Sequence, residues 1–157
     1  MRFSNTITID RQPTAVFAYL ADLENLPQWN YAIEKTRKIT SGPNGVGSRY
    51  LQTRMIPVRG EECLEVIDFE PERRITFRGS LNAFPALINY TLYADGSATN
   101  LTNTVELQLP RALSLLAPIA RQRIQSAVAA NLDVLKQTLE RSSRADRDPS
   151  AHGEASS

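Results

Sequence analysis

At 157 residues the chain is about one domain long, and 18 basic against 17 acidic side chains give a formal net charge of +1. No global field therefore draws it to nucleic acid or to an anionic membrane, and no dense basic run occurs, so a site for either would have to be local. A 41% hydrophobic and 22% charged composition supplies one core, while the most apolar patch, ALSLLAPIA, is far too short to span a bilayer.

Residues 3–10, FSNTITID, place Phe3, Asn5, Ile7 and Ile9 on one face with polar residues opposite, which predicts a strand with one buried face. Pro13 suits the first position of a helix, because its missing N–H would have no partner there. Val16, Phe17, Leu20 and Leu23 then make a helical stripe over 13–23. Pro27 stops that helix and pushes Leu26 out of the α region, so a second, very short helix or turn is expected around 24–29. Trp29, the only tryptophan, follows it and reads as an anchor where the short helices meet the sheet, since large aromatics dominate core contacts.

From residue 33 the pattern is strand-like. IEKTRKIT and SRYLQTRMIPV flank the turn-rich SGPNGVG, and EECLEVIDFEP and RRITFRG flank a turn around Pro71–Glu72. SLNAFPA reads as a loop. LINYTLYAD and SATNLTNTVELQL form a hairpin centred on Asp95–Gly96. After Pro110 the period changes to that of a helix: a short helical turn at 111–116, then a long helix from near Pro118 to about Glu140. Residues 141–157 have almost no apolar content and are expected to be a disordered tail, leaving residues 1–140 as the domain. Strands that curl around one long helix make an α+β domain.

This layout resembles the SRPBCC or START-like superfamily, the helix-grip fold, and within it the polyketide cyclase/dehydrase-like branch. The motifs that carry the resemblance are PTAVFAYLADLENLPQW, GPNGVGSRY, DFEPERRITFRG and NLDVLKQTLE. It implies a curved antiparallel sheet of about seven strands wrapped on the C-terminal helix, with two short helices after the first strand. It also implies a deep, mostly apolar pocket between sheet and helix, in which family members bind lipids, hormones, quinones or polyketides. Some members are enzymes, such as the aromatase/cyclases. Fold does not settle function, so the residues must be weighed themselves.

His152, the only histidine, lies in the expected tail, which argues against a histidine base or a histidine-held metal. Cys63, the only cysteine, has no disulfide partner, and the N-terminal stretch lacks a signal-peptide pattern; both fit a cytoplasmic protein. No phosphate-cradling or dinucleotide motif is present, and no cofactor, metal or nucleic acid is expected. Asn103 lies between Leu101 and Val105 on the apolar face of its strand, where its amide needs a partner: a neighbouring side chain, a water or a ligand. Tyr90 between Ile88 and Leu92 likewise carries one polar tip.

Tyr50, Gln52 and Arg54 alternate along one strand. The outward reading is favoured, because charges are rarely buried unpaired. If the face turns inward, Arg54 becomes a pocket cation, and Glu65 could complete an acid/base pair with it. Small residues on the long helix leave either close packing or ligand space near Leu116, Ala120, Arg123 and Ile124. The expected ligand-lining set is Tyr50, Phe77, Phe84, Tyr90, Asn103, Leu116, Ala120 and Ile124, with Arg54 and Glu65 as catalytic candidates. Binding of a small hydrophobic molecule ranks ahead of a cyclase/dehydrase-like enzyme, because no base is placed by spacing alone. A protein-interaction module is the third reading, and a homodimer is compatible with all three.

Overall fold

In a computed structural model of the chain, which describes residues 1–147, seven antiparallel strands form one sheet in the order β1–β7–β6–β5–β4–β3–β2. They are β1 (Arg2–Ile9), β2 (Ile33–Lys38), β3 (Arg49–Arg54), β4 (Gly60–Glu70), β5 (Arg74–Leu81), β6 (Phe84–Asp95) and β7 (Ala98–Leu107). Strands β2 to β7 are joined in sequence by hairpins, and only β1 pairs out of order, with β7. The link from β1 to β2 therefore passes from one edge of the sheet to the other. It carries α1 (Pro13–Ala21) and a 3₁₀ helix, Leu23–Gln28.

The break between these two helices falls at Asp22, whose backbone is extended and whose carboxylate accepts the Glu24 N–H at 3.0 Å. Pro27 sits inside the 3₁₀ helix. Trp29 ends it, is 4% exposed, and meets Tyr90 edge-on with ring centroids 6.5 Å apart. The core joins Val16, Phe17 and Leu20 of α1 to Tyr50, Leu64, Val66, Ile75, Phe77, Tyr90 and Leu101 of the sheet.

The long helix α2 (Ala117–Arg147) follows a second 3₁₀ helix, Arg111–Leu116, and lies along β1. The Gln125 side-chain amide donates to the Ser4 carbonyl at 3.0 Å, and Arg11 Nη1 donates to the Leu139 carbonyl at 2.8 Å. Leu132, Leu135 and Leu139 drive into the core. The helix continues past Glu140 to Arg147, and the rest of the expected tail, 148–157, lies outside the described residues, as does His152.

Two expectations change. SLNAFPA is not a loop: Leu81 pairs with Phe84 across a two-residue turn whose central residues, Asn82 and Ala83, both have positive φ. That is the backbone pattern of the hairpin turn that matches strand twist. The stretch hides it by lacking glycine and by containing Pro85, which sits at the second position of β6 and offers only its carbonyl, to Gln108 N–H at 2.9 Å. Second, the alternating face of β3 turns inward. Tyr50, Gln52 and Arg54 are all buried, because β3 registers against β4 with Tyr50 opposite Leu64 and Gln52 opposite Glu62.

Candidate functional site

The inner face of the sheet is unevenly covered. Where α1 and the second half of α2 meet it, Leu132, Leu135 and Leu139 leave no space. At the other end of the sheet lie the β3–β4 turn, the β5–β6 turn and the connection from β7 to α2: Gln108 bonds Pro85, and Asn82 bonds Glu62 beside the β3–β4 turn. There α2 covers the sheet with small or half-buried side chains, namely Ala117, Ala120, Ile124, Ala127 and Val128, and residues 117–130 include none that is fully buried. Opposite them, Phe84 and Ile88 on β6 are also half-buried. Ile88 belongs to a central strand and packs on the core, as does Val128. Residual exposure at such a position shows that the cover α2 gives the sheet is thinner here than at Leu132, Leu135 and Leu139.

Two polar side chains are buried on this face of the sheet. Asn103 is 1% exposed; its Nδ2 donates to the Asn89 carbonyl at a long 3.4 Å, and its Oδ1 has no partner among the described residues. An unmet buried carbonyl oxygen is costly and marks a place for a donor. Tyr90 is Asn103's cross-strand neighbour. Burial raises its phenol far above the ordinary tyrosine range, so it stays protonated and can donate. Trp29 and Phe77 hold the Tyr90 ring edge-on from two sides, at 6.5 and 6.4 Å.

A charged cluster occupies the inner face of β3 and β4. Arg54 Nε donates to Glu62 Oε1 at 2.8 Å, with both side chains buried. Glu62 Oε1 also accepts the Asn82 N–H at 2.8 Å, and Oε2 accepts Gln52 Nε2 at 2.7 Å. Three donors, from Arg54, Gln52 and Asn82, hold the carboxylate in place against Arg54. The ion pair uses only Nε, so the terminal nitrogens of the guanidinium remain as spare donors. Beside them Gln52 Oε1 and Asn82 Oδ1 are buried without partners among the described residues.

Glu65 is thus not the partner of Arg54. It lies on the outer face, 3.3 Å from Arg78, and both are well exposed. Its strand turns Glu62, Leu64 and Val66 inward instead. Of the expected ligand-lining residues, Phe84, Ala120 and Ile124 are half-buried, and Tyr90 and Asn103 are buried on the inner face of the sheet. Phe77 and Tyr50 are packed into the core beneath. The Tyr50 hydroxyl donates to Asn44 Oδ1 at 2.8 Å, and burial, aided by Asp22 and Glu24, pushes the phenol up to about 12. Leu116 is 58% exposed. Glu62, Gln52 and Asn82 were missed as site residues, although Glu62 shares its strand parity with Leu64 and Val66, the two apolar residues that mark the inner face.

On the outer face, two adjoining hollows of about 530 and 340 Å³ share Arg2, Leu87 and Glu106. Their charged groups are already paired, Arg2 with Glu106 and Arg78 with Glu65. Among the described residues no group of three or more His, Cys, Asp or Glu side chains is placed to hold a metal ion, and no helix is long and apolar enough to cross a membrane.

The family described as polyketide cyclase/dehydrase and lipid transport matches residues 1–140. No curated protein matches. Among solved structures, a protein of Thermus thermophilus superposes with a TM-score of 0.72 at 21% identity, over 91% of this chain and 99% of its own. The Zhui aromatase/cyclase of Streptomyces sp. R1128 gives 0.68 at 17% identity over 99% of both chains. A START superfamily protein of Mycobacterium smegmatis gives 0.64 at 18% identity, over 85% of this chain and 98% of its own. With its sheet gripping α2, a fold it shares with these structures, and the family match running from the first strand through the buried part of that helix, this chain belongs to the polyketide cyclase/dehydrase and lipid-transport family.

Proposed function

We propose that the chain binds a small hydrophobic molecule, of lipid, quinone, polyketide or aromatic type, in the groove between the sheet and the first half of α2. The observation that carries this reading is the half-covered apolar floor around Ile88, with the unpartnered Asn103 Oδ1 and the protonated Tyr90 phenol set into it. The apolar walls supply affinity and the two polar points orient the ligand. The lone cysteine fits work in the cytoplasm. Native mass spectrometry with solvent extraction, on protein purified from its own host, tests the reading. A co-purifying apolar molecule is expected, and adding it back at a hundred times its Kd should raise Tm by roughly 5–10 °C. No bound mass in repeated preparations, together with no thermal shift across an apolar library, overturns it.

A cyclase/dehydrase-like activity is the second reading, and the buried Arg54–Glu62 pair is what favours it. A guanidinium fixed by its Nε can polarise a ligand carbonyl and stabilise an enolate through its terminal nitrogens. The Zhui aromatase/cyclase, similar in fold, brings polyketide-like and aromatic carbonyl compounds to the front of the candidate list. Arg54 equips the site to polarise a carbonyl, with Glu62 already accepting three hydrogen bonds that fix the pair. Arg54→Gln separates the two readings: binding alone survives it with modest loss of affinity, whereas turnover of a carbonyl substrate is lost.

A further inference from the structure

The end of the molecule where the β3–β4 turn, the β5–β6 turn and the β7–α2 connection meet also carries apolar side chains left exposed among the described residues. Leu115 is 90% exposed, with Leu116 and Ile119 beside it in the chain at 58% and 59%. Ile56 and Val58, in the β3–β4 turn at the same end of the sheet, are also exposed. These residues are not needed to close the fold. Leu109 and Leu113 of the same connection are the half-buried ones, and the prolines at 110 and 118 bracket the short helix that presents Leu115 and Leu116 to water.

The charges of the β7–α2 connection and the first turns of α2 have one sign, while Glu61 and Glu106 are also exposed at this end of the sheet. From Leu107 to Leu132 the chain contains Arg111, Arg121 and Arg123 and no acidic residue. All three arginines are exposed, and none forms an ion pair among the described residues. In a chain whose net charge is only +1, this is a local concentration of positive charge placed beside bare leucines. That pairing is the chemistry of a surface that lies in a lipid interface: apolar side chains enter the acyl boundary and arginines meet phosphate.

We propose that this end of the molecule docks on an anionic lipid surface, with Leu115, Leu116 and Ile119 as the inserted side chains and Arg111, Arg121 and Arg123 as the phosphate contacts. The thinly covered part of the sheet under the first half of α2 lies at the same end, so, on the binding reading proposed above, docking would set the ligand's entry against the bilayer and spare an apolar ligand a passage through water. The docking itself does not depend on which ligand the groove takes, and it can be read without any ligand.

The test is co-sedimentation of the full chain with phosphatidylcholine vesicles, with and without phosphatidylglycerol. Binding is expected with the anionic vesicles, falling as salt rises. Arg121→Gln with Arg123→Gln should weaken it about 25-fold, roughly fivefold per arginine, the factor that corresponds to ~1 kcal/mol each. Leu115→Ser with Leu116→Ser should weaken it at least about tenfold at all salt concentrations. Val58→Ser probes the separate segment and should weaken it by a smaller factor. Tyr93→Ser, an exposed aromatic at the far end of the sheet, should change nothing. The proposal is overturned if the folded chain stays in the supernatant with anionic vesicles, or if the leucine variant sediments like the wild type. It is equally overturned if the wild type is a dimer that the leucine variant splits, since the patch would then be an interface between two copies.

Discussion

The two halves of α2 are one continuous helix with unlike duties. Residues 131–139 send Leu132, Leu135 and Leu139 into the core, and the sheet beneath them is fully covered. Residues 117–130 face the same sheet with alanines, Ile124 and Val128, and cover it only in part. The difference lies in side-chain size rather than in backbone: large leucines at helical spacing make a plug, and small residues at the same spacing make a roof. Stability should therefore concentrate at one end of the molecule and ligand recognition at the other.

The sharpest way to break that division is through Trp29, which anchors the packed end. Trp29→Ala should lower unfolding free energy by about 3–5 kcal/mol in a denaturant titration; a normal melt with loss of ligand would move Trp29 into the groove instead. Glu62 tests the mouth end. Glu62→Leu alone strands Arg54 without its counter-charge and should cost about 3–5 kcal/mol, whereas Arg54→Met combined with Glu62→Leu should be close to neutral. That pairing of results would show the cluster to be retained for its chemistry. Leu135→Ala in the plug should cost about 2–5 kcal/mol.

Alkaline pH gives a milder probe of the packed end. The fold holds the Tyr50 phenol at about 12 against an ordinary value of 10.0, so it favours the neutral form. That contribution is complete below pH about 10 and is lost as pH rises through about 12. Stability should fall across that window, and Tyr50→Phe should make the fall shallower in pH-dependent melts. The smallest expected effect is at the roof: Ile124→Ala should cost no more than about 1 kcal/mol, yet weaken ligand binding measurably. If it destabilises as much as Leu135→Ala, the two halves of α2 are not distinct.

Much of this architecture is legible in the residues. The period of two along FSNTITID, the turn residues of SGPNGVG and the change to helical spacing after Pro110 mark the elements in order. Asn103 stands out because a single polar residue interrupts an apolar face. The site's charged cluster is not legible in the same way. On β3 neither Tyr50–Gln52–Arg54 nor Leu51–Thr53–Met55 is clearly the apolar face, so the strand by itself does not say which way it turns.

The sequence by itself determined most of the elements, their order and the fold they make, because turn chemistry and hydrophobic period are local, but it missed the β5–β6 turn, which lacks glycine, and the extension of α2 past Glu140. Only the tertiary structure decided that Arg54 meets Glu62 and that Glu65 faces solvent. Those are consequences of register between strands, and a shift of one residue exchanges every inward side chain for an outward one. The same holds for the groove. Small residues on α2 are visible in the chain, but whether they pack tightly or stand off is settled by what the sheet presents beneath them.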